Sequence, residues 1–280
     1  MKEITKTFAL LVHACDRYEF LYKGFEFFFK RHWDFRIDCK YYFATEEKVV
    51  NIDGFQNILS GKGEWSDRLC FLLNKIPENY ILYLQEDMWL NEDVNSSFFS
   101  QLFALVEANS WKQVKLNSSQ VYKTIQTPVY INGFNIARVD NKSSDYLMSH
   151  QITLWDKQHL FGLLGKGEHP WRNERKGTKR LRRMNSEIFH ADYFIENGMP
   201  ENNINSPSIK RSGYWTISQN GSLNSRVLSY ITVLEKGTLT EKKYACDLLH
   251  HLENGLTHDG KQKPRKEDLF KKMKNWLLRK

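Results

Sequence analysis

The segment Tyr80 to Leu90, YILYLQEDMWL, constrains the fold more than any other stretch of the chain. Five apolar residues in a row, Tyr80-Ile81-Leu82-Tyr83-Leu84, read as a strand covered on both faces. The run stops abruptly at Gln85-Glu86-Asp87. A buried strand that ends in adjacent acids puts carboxylates at the carboxyl end of a sheet, where open α/β folds bind ligands. Two hard oxygen donors there suit Mg²⁺ or Mn²⁺ held against a diphosphate. The plainer alternative is a solvated acidic turn.

The flanking pattern supports a layered α/β fold. Phe8 to Val12 is a second short apolar run, and Tyr41 to Ala44 a third. Between the first two, Phe20, Leu21, Phe25, Phe28 and Phe29 recur at helical spacing, which predicts a helix from about Arg17 to His32. Asp16 and Glu19 form a capping-box pair before it. Leu69, Leu72, Leu73 and Ile76 predict a helix opened near Ser66 or Asp67 and stopped by Pro77. A helix over Ser97 to Ala108, capped by Ser96 or Ser97, precedes a strand at Val114 to Leu116. Strand and helix alternate as a sheet with right-handed crossovers requires.

Beyond Asn117 the pattern weakens into polar loops with β-like pieces near Val129 to Ile131. A strand at Ile152 to Leu154 and a short helix capped by Asp156 follow. Residues 195 to 225 have a loop or linker composition. Helical patterns return near Glu241 to Glu253 and Lys266 to Lys280. The domain expectation is therefore a main domain over residues 1–220 and a small helical extension over 221–280.

Composition excludes several classes. With 280 residues, 41% hydrophobic and 26% charged, the chain is neither disordered, collagen-like nor a multi-span membrane protein. The opening Met1 to Lys6 has no apolar signal core, so cytosolic residence is expected. Forty-one Lys and Arg against 33 Asp and Glu give +8, which favours anionic partners. Cys15, Cys39, Cys70 and Cys246 form no CxxC pair and read as reduced core residues. The aromatic content, 14%, suits a thick core plus a site that stacks on rings.

Two further segments carry candidate chemistry. The first is His150 to Arg183, which gathers Trp155, Glu168, His169, Trp171 and Glu174 ahead of a basic run. A carboxylate beside aromatic rings can deprotonate a hydroxyl and stack a sugar; a charged surface helix with a buried Trp explains the same residues. The second is His13 and Asp16 at the end of the first strand, placed to meet a nucleotide, although Asp16 also serves as a plain cap. Asp67 and Arg68 open a helix whose N–H groups form an anion site. No phosphate-binding glycine loop, HExxH or GxSxG is present.

Three blocks in order, ALLVHACDRYEFL, EWSDRLCFLLNKIPENYILYLQEDMWL and HQITLWDKQHLFGLLGKGEHPWRNERKGT, resemble bacterial GT-A-type glycosyltransferases of lipopolysaccharide, capsule and other surface-polysaccharide biosynthesis. The resemblance spans about residues 7 to 190. It implies a GT-A-like, Rossmann-like mixed sheet flanked by helices, and transfer of a sugar from a nucleotide-sugar donor to a glycan or lipid-linked acceptor. Asp87 matches the metal-binding acid of the family's DxD motif, with Glu86 between and Gln85 where an acid is usual. Asp16 and Thr45 or Glu46 match positions that hold base and ribose; His13, Asp67 and Arg68 belong to the same donor side. Glu174 fits the place of the inverting base, with Glu168 second, and Trp155, Trp171 and His169 the acceptor side. A divalent cation is the implied cofactor.

Two other classes compete: a basic nucleic-acid-binding protein or nuclease, and an inactive scaffold of the same fold. The tail Lys266 to Lys280 adds an amphipathic pattern, with Leu269, Phe270, Met273, Trp276 and Leu277 on one face and lysines on the other. That pattern fits peripheral contact with an anionic membrane as well as packing on the domain.

Overall fold

Six consecutive buried residues form β1 (Phe8–His13), and five form β4 (Tyr80–Leu84). The two pair in parallel with Leu10 opposite Leu82 and Val12 opposite Leu84. The computed structural model describes residues 7–196, 198, 199, 205 and 209–262. Their other strands are β2 (Lys40–Thr45), β3 (Gln56–Leu59), β5 (Met88–Glu92), β6 (Gln113–Asn117), β7 (Thr124–Ile125), β8 (Tyr130–Ile131), β9 (Phe134–Asn135), β10 (Ala137–Val139), β11 (Thr153–Asp156), β12 (Phe189–Ile195), β13 (Ser212–Thr216), β14 (Ser218–Gln219) and β15 (Ser222–Leu223). The helices are α1 (Glu19–His32), α2 (Trp65–Lys75), α3 (Ser96–Asn109), α4 (Lys157–Gly162), α5 (Pro170–Met184), α6 (Val227–Leu234) and α7 (Leu239–Glu253).

The main sheet runs β3-β2-β1-β4-β11-β6-β12-β10-β7, with β13 and β5 joined to it through β12. β2, β1 and β4 are parallel, while β11 runs antiparallel between β4 and β6. The start of β11 therefore lies at the carboxyl ends of its neighbours: Thr153 faces Tyr83 and Lys115. β6 and β12 are parallel, with His190 opposite Lys115. This mixed α/β sheet is the fold class expected from the strand–helix alternation, and Leu84 ends one of its central strands.

Alternation along β1 divides the core into two layers. Ala9 and Leu11 face a cluster built from Trp65, Leu69, Leu72, Leu160, Leu163 and Leu181 of α2, the α4 region and α5. Phe8 faces the other way and stacks on Phe103 of α3, ring centroids 4.1 Å apart. That second layer holds much of the aromatic content: Phe25, Phe28 and Phe29 of α1 pack with Phe43, Phe55, Trp33 and Trp89. Gly24 sits in the middle of α1 because a Cβ there would lie 2.1 Å from the Trp89 ring. A glycine costs a helix about 1 kcal/mol relative to alanine, less than forcing an indole aside in a close-packed core.

Several local expectations are corrected. Asp16 does not cap the first helix; Asp16–Tyr18 is a 3-10 turn and α1 starts at Glu19 without a side-chain cap. Asp67 is likewise no cap, since α2 begins at Trp65 after Glu64. The cap of α3 is Asn95, whose side chain accepts from the N–H groups of Ser97 and Phe98, in place of Ser96 or Ser97. β13 lies in the segment read as linker, and β5 was not expected from the sequence. They pair with each other, Trp89 opposite Trp215, across more than a hundred residues of chain, so local composition carries little of their signal. Of the cysteines only Cys39 is fully buried, and Cys246 is exposed.

The described chain divides into one unit up to Thr216 and a second from Ile217. The second unit contains the β14–β15 hairpin, α6 and α7, with α7 opened by a capping box between Thr238 and Glu241. α6 was not expected from the sequence. The amphipathic tail pattern, Lys266 to Lys280, lies outside the described residues. No helix among the described residues is long and apolar enough to cross a membrane.

Candidate functional site

The acids after β4 are held in a tight reversal. The Met88 N–H donates to the Gln85 carbonyl at 3.2 Å, and the chain turns straight into β5. Glu86 is 4% exposed, and its Oε1 accepts from the Cys15 N–H at 3.3 Å, which ties it to the end of β1. The Trp89 indole N–H donates to the Glu86 carbonyl. Asp87 is partly exposed. Burial pushes both carboxyls well above the usual carboxylate range; the Asp87 charge adds to this at Glu86, and the Glu196 charge at Asp87. Gln85 lies in the same turn and is partly exposed.

Beside this pair, the ends of β1 and β2 are locked together. Asp16 Oδ1 accepts from the Glu46 N–H at 2.8 Å, and Oδ2 accepts from the N–H groups of Glu47 and Lys48 at 2.9 and 3.0 Å. In return the Asp16 N–H donates to Glu46 Oε2 at 2.9 Å. Arg68 reaches in from α2, donating to Ser60 Oγ at 3.0 Å and to the Ala14 carbonyl, and pairing with Glu46 Oε1 at 3.3 Å. Thr45 is buried, donating to the Lys48 carbonyl at 2.6 Å and accepting from Asn57 at 3.0 Å. The fold thus brings together Asp16, Thr45, Glu46, Arg68 and Glu86. Asp67 points elsewhere and accepts from the Gly167 N–H at 3.1 Å, fastening the loop before α5.

His13 closes β1 on the α2 side. Its Nδ1 lies 3.3 Å from the Tyr83 hydroxyl, and its ring is 5.7 Å from Trp65. His150 also packs on that indole, with ring centroids 4.2 Å apart. Burial first, then nearby positive charge, pulls His13 well below the ordinary imidazole range and His150 down to about 3, so both rings are neutral at physiological pH. The Nε2 atoms of both are buried without a hydrogen-bond partner. Trp65, Tyr83 and His150 were not among the site residues expected from sequence. The signal for His150 was its place at the head of the HQITLW block.

The structure separates the two candidate bases. Glu174 is partly buried on the inner side of α5, where Oε1 accepts from the His150 N–H at 3.0 Å. Burial raises its pKa, and the Lys115 charge works against that rise. Lys115 is itself buried, donating to the Tyr122 hydroxyl at 3.2 Å and to Ser149 Oγ at 3.0 Å. Glu168 accepts from Arg180 at 2.6 and 2.9 Å, from Asn173 at 2.8 Å and from the Gly165 N–H at 3.2 Å. Burial alone would raise its pKa, but those bonds and the Arg180 charge bring it to about 2. A carboxylate so engaged is a poor proton acceptor at neutral pH.

Trp155 does not reach this region. It is 1% exposed, sits in the core layer of α2 and α5, and pairs with Ile81 toward the opposite end of β4. A strand position two residues from Thr153 carries its side chain to the same face but farther from the ligand end. Trp171 is 61% exposed at the start of α5, in edge contact with His169 at 5.5 Å. It precedes Glu174 by three residues, so helical geometry puts the two on neighbouring positions.

No group of three or more His, Cys, Asp or Glu side chains converges as a metal site among the described residues. Glu86 and Asp87 are two hard oxygen donors; a divalent ion held by them would need phosphate or water oxygens to fill its remaining positions. A cavity of about 460 Å³, lined by Arg138, Asp140, Lys142 and Glu187 among others, lies where β10 meets the start of β12. It is remote from Glu86 and holds charges of both signs.

No family model matches the sequence, and no curated protein is matched. Among solved structures the chain is similar to S. aureus TarS 1-349, with 8% identity, 88% of this chain and 71% of that chain covered, and a TM-score of 0.46. TarS 1-349 in complex with UDP-GlcNAc aligns at 10% identity over 88% and 72% of the two chains, TM-score 0.46. Its complex with UDP aligns at 10% identity over 87% and 70%, TM-score 0.46.

Proposed function

We propose that this protein is a glycosyltransferase that moves a sugar from a nucleotide-diphosphate donor to an acceptor hydroxyl with inversion. The observation that carries this reading is the Glu86–Asp87 pair at the end of β4, with Glu86 buried and bonded across to the end of β1 and Asp87 partly exposed beside it. Carboxyls whose protons are held by burial and mutual repulsion are suited to exchange them for a cation. Asp87, with Glu86 beside it and the Gln85 amide as a neutral donor, would hold Mg²⁺ or Mn²⁺. When bound, such an ion offsets the charge that develops on a leaving diphosphate.

The rest follows from this chain's own side chains. The loop 46–48, fastened by Asp16, and the buried Thr45 shape the place for base and ribose. Arg68 holds Glu46 and the end of β1 in register, and neutral His13 lines the inner wall. Glu174 takes the proton of the acceptor hydroxyl as its oxygen bonds to the anomeric carbon and the bond from that carbon to phosphate breaks. The His150 N–H holds the Glu174 carboxylate in place, and Lys115 favours its charged form. Trp171 and His169 form an exposed platform for the acceptor ring, close to Glu174.

The order of the three family-like sequence blocks supports an acceptor in cell-surface glycan biosynthesis, of the lipopolysaccharide or capsule kind. The amphipathic pattern over 266–280 supports peripheral contact with the inner face of the membrane. Binding of UDP-, GDP-, CMP- and dTDP-sugars, with and without Mn²⁺, tests the central claim. One donor should bind, more tightly with Mn²⁺, and be hydrolysed slowly without acceptor. Failure of every donor to bind would overturn the reading; binding without any turnover would leave an inactive scaffold.

A further inference from the structure

α5 has two chemically opposite sides. Asn173, Gly177, Thr178 and Leu181 are buried against the domain, and a Cβ on Gly177 would meet Met148 at 2.8 Å, so the helix lies close to what it covers. Outward it presents Arg172, Arg175, Lys176, Lys179, Arg182 and Arg183, all exposed. Glu174, the acid of this helix, is turned toward His150. The charges on the outer side are therefore all positive along a helix about 22 Å long.

Two of these cations have internal work. Lys176 lies 3.4 Å from Glu168, and Arg182 donates to the carbonyls of Asn141 and Ser144. The side chains of Arg172, Arg175, Lys179 and Arg183 make no hydrogen bond or ion pair among the described residues. Their spacing sets Arg175 against Lys179 and Lys179 against Arg183 at i,i+4, where like charges destabilise a helix. Nothing in the packing of the inner side requires that repulsion. An anionic partner removes it.

The neighbouring helices add exposed rings. Phe71 of α2 is 44% exposed with the Lys75 ammonium 4.4 Å over its ring, and Phe161 of α4 is 37% exposed. α2, the α4 region and α5 share one core cluster, so the three helices cover the same face of the sheet. Lysines and arginines with isolated aromatic side chains at one surface match a lipid interface, where charge meets headgroups and rings enter the acyl boundary. Binding of a nucleic-acid strand would call for rings aligned to stack successive bases.

We propose that the outer face of α5, with Phe71 and Phe161 beside it, docks on an anionic phospholipid surface. This stands independently of the reading of the Glu86–Asp87 site. Its geometric consequence is that Trp171, at the edge of the docked face, and Glu174, just inside it, lie near the membrane plane.

The full chain should sediment with vesicles of phosphatidylcholine containing about 30% phosphatidylglycerol, and not with phosphatidylcholine alone, with binding that weakens as salt rises. Replacing Arg172, Arg175, Lys179 and Arg183 together by Gln should lower partitioning at least roughly a hundredfold, and each single replacement about fivefold. Phe71→Ser with Phe161→Ser should cost several-fold more, and Asp87→Asn should bind as the parent does. The single replacements keep the test decisive if the quadruple variant loses its cooperative melt. Equal binding to neutral vesicles, or unchanged binding by the single and quadruple variants, would overturn the proposal. So would duplex DNA that displaces the protein from vesicles at equal charge concentration, which would assign the face to nucleic acid.

Discussion

Asp16 and Glu46 hold each other by reciprocal backbone-to-side-chain hydrogen bonds, Asp16 N–H to Glu46 Oε2 at 2.9 Å and Glu46 N–H to Asp16 Oδ1 at 2.8 Å. The pair spans the gap between two parallel strands at their ligand ends. An acid that caps nothing thus fixes the loop after β2.

Asp16→Ala strips the acceptor from three backbone N–H groups. Each lost bond is worth about 1 kcal/mol, so a loss of roughly 2–3 kcal/mol is expected in urea unfolding. Donor affinity should fall roughly tenfold or more, and Asp16→Asn should recover part of both. A donor titration unchanged in Asp16→Ala would remove this loop from the donor site.

Glu174→Gln keeps an oxygen to accept from His150 and removes the basic carboxylate. Turnover should fall at least roughly a hundredfold while donor binding and melting temperature stay near the parent values. Steady-state kinetics beside a melt reads both. Comparable activity in the variant would take the base role away from Glu174.

Glu168 is expected to matter for stability. Its folded pKa of about 2 lies below the ordinary glutamate value of 4.5, so its contribution is complete above about pH 4.5 and is lost as pH falls toward 2. A shift of that size corresponds to roughly 3 kcal/mol. Glu168→Gln should lose about 2–4 kcal/mol at pH 7, since Arg180 is left without its acid, and should show a flatter loss of stability between pH 5 and 2. Urea unfolding across that range is the measurement; parallel curves for parent and variant would contradict it.

Glu86 and Asp87 act with the opposite sign. Because burial raises both, the folded protein holds protons that the unfolded chain releases, and stability should fall as pH rises from about 4 to 8 in chelator and level off above that. Mn²⁺ should offset that fall, raising the melting temperature more at pH 9 than at pH 6, and Asp87→Asn should abolish the difference. A Mn²⁺ effect that persists in Asp87→Asn would place the ion elsewhere.

Local pattern carried the elements whose burial is continuous or periodic. The unbroken apolar runs at Phe8 to Val12 and Tyr80 to Leu84 became β1 and β4 almost residue for residue, and the helical spacing of Phe25, Phe28 and Phe29 became the buried side of α1. The abrupt stop at Gln85-Glu86-Asp87 likewise placed the acids at the carboxyl end of β4. These signals survive because each residue's fate there depends on its neighbours in sequence.

Tertiary structure decided the rest. β5 and β13 exist because each finds the other across the chain, and a five-residue segment carries no trace of a distant partner. Asp16 reads as a cap until the end of β2 supplies three N–H groups, which bind a short carboxylate better than one helix terminus. The resemblance ranks Glu174 ahead of Glu168, but their side chains are chemically alike; Arg180 and Asn173 fix Glu168 as a structural anion, while Glu174 is partly buried beside the His150 backbone. Trp155 was drawn into the core by the inward phase of β11, and Trp171 left outside by the start of α5. Hydrogen-bond partners and burial are properties of the folded surroundings, and only the fold brings those surroundings together.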